Sequence, residues 1–352
     1  MQRLALIIAS VALVSCGKDK PEPTTTPEPV AAAPATTDEA APAAESTPED
    51  PEAKAAEQAR QLQEEIAKRL KKAAAKAEKV TARWTPEVTA DFEKARDKKY
   101  KNGKARMAAM LKSQHRAPGN ADRDAFRRPA ETLAFFGLKE NMKIFEVGQG
   151  AGWYTEILAP FVAKKGQLYL AGYDAKSEDP QMQFGAKSME YFLTAPGPLY
   201  ADVQTVPQGG SDQPMNLGPA DSLDMVFVIR MFHNVERFDL WDRYMQAIHS
   251  SLKDGAVLGV VQHRAAEGAD VKESAAKGYL PEAWLITKIE GYGFKLDKKS
   301  DINANAKDTR DYKSGVWSLP PTFAQGDVDR EKLKAIGESD RSTLRFVKVA
   351  KK

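Results

Sequence analysis

The chain has a single cysteine, Cys16, among its 352 residues, so no disulfide can form within it. The fold must therefore rest on packing of the apolar residues, which make up 42% of the sequence. A large excess of one charge is also missing: 52 basic residues against 49 acidic ones leave a formal net charge of +3. Nucleic-acid-binding domains usually carry a clear basic excess, so no nucleic-acid partner is expected. Histidine is scarce, with four in all: His115, His233, His249 and His263. No apolar run reaches the roughly 20 residues that a membrane-spanning helix needs. The basic stretch Lys98-Lys99-Tyr100-Lys101, with Lys104 and Arg106, reads as a solvated helix face or loop.

What is present begins with an address. Arg3 supplies a positive flank to the apolar run Leu4 to Val14, which is too short to span a bilayer but suits a secretory signal. Leu13-Val14-Ser15-Cys16-Gly17 follows and resembles the lipobox of bacterial lipoproteins. The resemblance implies cleavage after Ser15, lipidation of Cys16 and attachment to a membrane by acyl chains, each buried CH₂ contributing about 0.8 kcal/mol. Lys18 stands close behind the cysteine where an Asp would be the inner-membrane signal. By the same resemblance this favours the cell envelope at the periplasmic face of the outer membrane.

Residues 16 to 51 are rich in Pro, Ala, Thr and Glu and poor in large apolar residues. Burial there cannot offset the entropy of ordering, so a disordered tether is expected after a signal peptide at 1–15. Residues 52 to 113 are rich in helix formers. Leu62, Ile66, Leu70, Ala73, Ala77 and Val80 give one weak apolar stripe, which reads as a solvated spacer helix, and a second helical stretch runs from Pro86 to Lys112.

From residue 114 to the end, strand and helix signals alternate. Strands are expected at 143–147, 167–173, 203–206, 225–229, 256–262, 294–297 and 343–349. Helices are expected at 152–163, 177–192, 240–252 and 281–292. Near-continuous apolar strands separated by helices imply an α/β fold with a doubly wound, mostly parallel sheet. Two final strands without a helix between them imply an antiparallel pair at one edge.

The most informative segment is Glu146-Val147-Gly148-Gln149-Gly150-Ala151-Gly152-Trp153-Tyr154-Thr155. A strand runs into three glycines and then a helix, whose N-terminus offers free N–H groups. A dinucleotide fingerprint wants Gly or Ala where Trp153 stands. Glu146-x-Gly148-x-Gly150-x-Gly152 instead resembles motif I of class I S-adenosylmethionine-dependent methyltransferases. The resemblance implies S-adenosylmethionine as cofactor and a Rossmann-like methyltransferase fold. Gly148, Gln149, Gly150, Gly152 and Tyr154 would lie beside the cofactor, with Glu146 near its methionine amino group. Asp174, after the second strand, matches the acid that holds the ribose hydroxyls, a vicinal diol that a carboxylate accepts from in pairs.

Asp122 to Pro129, Leu133 to Lys139, Gly315 to Pro321 and Ile336 to Arg341 extend the likeness to a family of predicted bacterial methyltransferases, often exported. No clear Asp follows the third strand to meet adenine; Gln208 to Asp212 is the only segment at that place.

His233 and His263 each follow an apolar strand and are expected at the carboxyl edge of the sheet, where the glycine loop also lies. His233 is the first candidate for a base or acceptor-orienting group, Asn234 a polar positioner beside it, and His263 the second candidate. Arg230 and Arg264 suit an anionic acceptor. Polar residues at these places also cap strands and satisfy loops, and both readings stand at this point. His249, within a helix, reads as structural, and no third His or Cys completes a metal set. Glu338, Asp340 and Arg341 read as an ion-paired turn, and the Trp317 loop as a cover for the cleft. Two functions follow: methyl transfer to a small-molecule or envelope acceptor, or a cofactor-free binding or scaffold lipoprotein on the same fold. Oligomeric state is not specified.

Overall fold

The computed structural model describes residues 51–209 and 213–350. The signal segment, Cys16 and nearly all of the expected tether lie outside the described residues, as do residues 210–212 of the segment after the third strand.

Three helices come first, α1 (Pro51–Arg83), α2 (Pro86–Asp97) and α3 (Gly103–Lys112). Next come α4 (Asp124–Arg127), α5 (Pro129–Phe136), β1 (Lys143–Val147), α6 (Thr155–Val162), β2 (Gln167–Gly172), α7 (Pro180–Thr194) and β3 (Gln204–Pro207). The chain continues through β4 (Leu223–Ile229), α8 (Phe232–Arg237), α9 (Trp241–Ser251), β5 (Leu252–His263), α10 (Val271–Ala276) and α11 (Glu282–Glu290). It ends with β6 (Phe294–Ser300), α12 (Arg330–Ile336) and β7 (Arg341–Lys348).

The seven strands form one sheet in the order β3-β2-β1-β4-β5-β7-β6. The first five strands are parallel to their neighbours, while β7 runs antiparallel to both β5 and β6. The expected doubly wound, mostly parallel sheet with an antiparallel pair at one edge is therefore present.

The apolar strands feed two cores by their two-residue period. Val226 and Val228 of β4 face one core with Leu258 and Val260, under α8, α9 and α11. Met225 and Phe227 face the other with Val257 and Val261, under α5 and α6. At the outer edge, β6 buries Phe294 and half-buries Leu296 while exposing Lys298 and Lys299, charges that protect an open strand edge.

Three expectations for the N-terminal helices are corrected. The stretch from Pro86 is two helices, because the chain turns extended at Lys98 and Asn102 caps a new start by accepting from the Ala105 N–H at 2.9 Å. Arg106 is buried rather than solvated, donating to the carbonyls of Phe161 at 3.0 Å and Pro160 at 2.6 Å. Nor is α1 a solvated spacer. Its second half packs on the domain: Arg69 lies 4.5 Å from the Phe184 ring centroid, and Thr81 donates to the Ala195 carbonyl at 3.1 Å. Arg83 donates to the carbonyls of Arg116 at 2.6 Å and His115 at 2.7 Å. A weak stripe suffices when a neighbouring helix supplies the other half of the interface.

Candidate functional site

Strand order reverses between β1 and β4, which pair with Val147 opposite Val228. In open parallel sheets such a switch point leaves a crevice beyond the carboxyl ends of the strands. The glycine loop leaves β1 on one side of it, and Arg230 to His233 leave β4 on the other. The two sides touch: a side chain built on Gly148 would meet the Met231 sulfur at 3.4 Å.

Backbone geometry explains the glycines. Gly148, Gly150 and Gly152 all have positive φ, at 72°, 55° and 83°. At Gly152 a Cβ would also meet the Phe192 ring at 2.6 Å. At Gly150 it would enter open space, with the Gly148 carbonyl oxygen nearest at 4.0 Å. Loop and helix are tied by Glu146, whose Oε2 accepts from the Thr155 hydroxyl at 2.7 Å at the first residue of α6. Burial pushes the Glu146 carboxyl up to about 7, against the pull of the Thr155 hydrogen bond and the nearby Arg230. Its Oε1 has no hydrogen-bond partner among the described residues. The Tyr154 phenol, also buried, is pushed up to about 12, and Arg230, Arg341, Glu338 and Glu146 all act on it.

A cavity of about 440 Å³ opens beside Gln149, Gly150 and Ala151. Tyr173 after β2, Met189 and Phe192 of α7, and Val80 of α1 supply much of its wall. Its size is within the range of small-molecule sites. Trp153 does not plug it. The indole is buried elsewhere, donating to the Asn120 carbonyl at 2.9 Å, with the Arg116 and Arg127 guanidiniums 5.3 Å and 4.6 Å from its ring.

The remaining candidates divide by location. Asp174 is exposed at the end of β2, where its Oδ1 accepts from the Lys176 N–H at 2.8 Å; it does not line the cavity, although Tyr173 does. His233 and His263 come together, with ring centroids 5.8 Å apart, on the β4–β5 side and away from the cavity. Trp317 stands edge-on to His233 at 5.9 Å.

Gln262 contacts the Gly278 carbonyl at 3.2 Å and His233 Nδ1 at 3.3 Å. A carbonyl acceptor requires the amide nitrogen at that position, so Gln262 donates to Nδ1 and the His233 proton sits on Nε2. Burial, first, and Arg237 hold His233 down to about 3, so it is neutral. His263 shares a 2.5 Å hydrogen bond with the Ser339 hydroxyl, and burial next to His233 holds it well below the usual imidazole range.

Asn234 is occupied within α8, donating to the Met231 sulfur at 3.8 Å and accepting from Arg237 at 3.4 Å. His249 packs edge-on to Phe294 at 5.5 Å in α9. Arg264 is not free for an acceptor: it donates to both oxygens of Asp340, at 2.9 and 3.0 Å, and reaches Glu282 and Asp301. Gln208 is likewise engaged, bonding Asn216 through both ends of its amide. Among the described residues no group of three or more His, Cys, Asp or Glu is placed to hold a metal.

Sequence reasoning missed the centre of this region. Glu338 makes the expected local ion pair with Arg341, three residues on, but it is much more than a local turn. It accepts from Arg123 at 2.8 Å, Arg127 at 2.9 Å and Arg341 at 2.8 Å, with Arg230 at 3.9 Å. Three segments singled out in the sequence, Asp122–Pro129, the end of β4 and Ile336–Arg341, thus meet on one carboxylate. The clue was an unusual density of arginine at their ends, but only the fold pairs them.

Residues 121–286 match the family profile described as a methyltransferase domain. A search of curated proteins finds no match. Among solved structures, a SAM-dependent methyltransferase from Aquifex aeolicus is 20% identical, with 56% of this chain and 93% of that one covered at a TM-score of 0.38. A SAM-dependent methyltransferase from Methanosarcina mazei is 12% identical, covering 62% of this chain and 98% of that one at 0.40. An S-adenosylmethionine-dependent methyltransferase from Mesorhizobium loti is 16% identical, covering 62% and 96% at 0.36. The profile match, with the strand order and the glycine loop, supports a methyltransferase with S-adenosylmethionine as its cofactor.

Proposed function

We propose that the chain transfers a methyl group from S-adenosylmethionine to a small-molecule or envelope acceptor at the β1–β4 switch point. One observation carries this reading: three glycines of positive φ turn the loop after β1 so that Gln149 to Ala151 front a cavity of about 440 Å³. The residues fit the cofactor. Gly150 leaves open space where a side chain would stand, and Glu146 Oε1 is free to accept from a cationic amine. The loop backbone from Gly148 to Gly152, Gln149, Tyr154 and Glu146 would hold it, with Asp174 reaching a ribose. When bound, the sulfonium supplies an electrophilic methyl group.

The chain's own part is mainly positioning. A neutral His233 with its proton on Nε2 offers a hydrogen bond to an acceptor atom. Its conjugate acid is too strong for it to take a proton efficiently near pH 7, so we assign it orientation rather than base catalysis. His263 and Asn234 support it, and Trp317 covers it. Isothermal titration of S-adenosylhomocysteine into the purified protein tests this. Binding is expected, with Glu146→Ala and Asp174→Ala each abolishing it; retained affinity in both variants rejects the site.

A second reading has its own observation. The cavity wall is largely apolar, six of its 23 lining residues come from α1, and neither His233 nor His263 lines it. That suits a cofactor-free binding or scaffold role. The expected lipid anchor at Cys16 favours it too, because a protein exported to the envelope leaves the compartment that makes the cofactor. No heat with S-adenosylhomocysteine at high micromolar concentration selects this reading. Incorporation of labelled fatty acid, lost in Cys16→Ser, tests the anchor.

A further inference from the structure

The end of β4 holds a cation that the protein does not neutralise. Arg230 sits at φ 56°, in the left-handed region that side-chain-bearing residues seldom occupy, one of seven such non-glycine residues among those described. Its backbone N–H is fixed on the Val261 carbonyl at 2.6 Å. The guanidinium makes no hydrogen bond among the described residues, and its nearest carboxylate oxygen, on Glu338, is 3.9 Å away.

Glu338 is already saturated by Arg123, Arg127 and Arg341. Four guanidiniums therefore face one carboxylate. Both terminal nitrogens of Arg127 and the Nε of Arg341 are buried without a partner. Glu146, on which Arg230 also acts, is pushed toward its protonated form and supplies only part of a charge.

A structural ion-pair network ends near neutrality, because buried charge without a counter-charge is costly. This one ends strongly positive. The arrangement is also graded by access: the side chains of Arg127 and Arg341 are 1% and 3% exposed, whereas those of Arg230 and Arg123 are 27% and 22% exposed. The inner pair sets the field and the outer pair is what a ligand can reach. His233, three residues from Arg230, adds a neutral N–H donor.

We propose that Arg230, with Arg123 beside it, binds a carboxylate or phosphate group of the methyl acceptor. The anion site follows from the charge imbalance alone; its assignment to the acceptor rests on the methyl-transfer reading. A carboxylate could also come from the methionine end of the cofactor. The acceptor is favoured because Arg230 and His233 lie on the β4 side of the switch point, opposite the cavity at Gln149 to Ala151.

The test is calorimetric titration of the full-length protein with inorganic phosphate and with succinate, each with and without saturating S-adenosylhomocysteine. Saturable binding of at least one anion is expected in both conditions. Arg230→Gln should weaken it at least about tenfold, the loss of one charge-assisted contact, while leaving the thermal transition and S-adenosylhomocysteine affinity nearly unchanged. Arg230→Lys, which keeps the charge but not the fork, should retain part of the affinity. Competition between the anions and S-adenosylhomocysteine, or a tenfold loss of that affinity in Arg230→Gln, assigns the guanidinium to the cofactor and overturns the proposal. So does the absence of saturable anion binding, or equal binding by Arg230→Gln. If wild type binds an anion through Arg230 but no S-adenosylhomocysteine, the anion site stands and the methyl-transfer reading fails.

Discussion

Arg127 and Glu338 lie 211 residues apart in sequence, yet the Arg127 Nε–H reaches both Glu338 oxygens at 2.9 Å. The contact fastens α4, at the entry to the domain, to the segment leading into β7. Arg123 and Arg341 join it from the same two segments. Removing the shared carboxylate leaves buried cations facing one another. Glu338→Gln is therefore expected to lose about 3–5 kcal/mol, the usual consequence of stripping one partner from a buried pair. Urea unfolding monitored by circular dichroism measures it. A loss below about 1 kcal/mol would mean that the arginines find other neutralisation, and the charge imbalance argued above would be wrong.

Glu146 ties the loop to α6 from a buried position, and its carboxyl is raised from 4.5 to about 7. A carboxyl raised on folding favours the folded state fully below its unfolded value. That contribution is lost as pH rises through about 7. Glu146→Gln, which stays neutral, should therefore gain on wild type between pH 5 and 8, by at most roughly 3 kcal/mol. Unfolding curves for both proteins at the two pH values decide this, and parallel behaviour would show that Glu146 is not desolvated. Cofactor binding should strengthen over the same range, because the ionised carboxylate is the better partner for an amine.

The sheet was legible because its strands are short apolar runs bounded by turns, and their two-residue period assigns residues such as Val226 and Phe227 to opposite cores. The glycine loop was legible because backbone of positive φ admits few other residues. The short helices α8 and α10 were not, since six residues cannot display a helical period. α5 was missed because its apolar face merges with an apolar neighbourhood. The packing of α1 was hidden because its stripe is mostly alanine, which gives contact with little hydrophobic signal. The arginine cluster was only hinted at, by the arginine-rich ends of its segments. Nothing in Arg123, Arg230 or Glu338 taken singly distinguishes a surface charge from a buried one, and only topology brings them together.

Gly150 and Gly152 separate loop stability from ligand access. Alanine at Gly150 meets only the cost of a positive φ, about 1–2 kcal/mol, but places a methyl group in the open space at the cavity mouth. Alanine at Gly152 adds overlap with Phe192 at 2.6 Å, about 1–3 kcal/mol more. Gly150→Ala is thus expected to fold well and bind S-adenosylhomocysteine at least about tenfold more weakly. Gly152→Ala is expected to lose most in thermal stability. The reverse ranking of the two variants would mean that the open space at Gly150 is not where the ligand enters.

The histidines predict how the protein meets acid. Burial lowers His115 to about 4 and His233 to about 3, and holds His263 well below its ordinary value. A histidine lowered on folding contributes stability that is present above about 6.5 and lost as pH falls toward its folded value. Around pH 5.5 the unfolded chain binds three protons at these rings that the native state does not. Glu146 acts in the opposite sense, holding one proton only when folded. Glu156 and Asp308, also raised by burial, act in the same sense as Glu146, so the difference of two protons sets a slope of at most about 2.7 kcal/mol per pH unit, stability rising with pH until it levels off near neutrality. Denaturant unfolding at quarter-unit steps from pH 5 to 7.5 measures that slope. Replacing His233 with Gln, which keeps a donor but cannot titrate, should reduce it by half. A flat profile would mean that the rings are protonated in the native protein, and His233 would then be a cation beside Arg230 rather than a neutral donor to the acceptor.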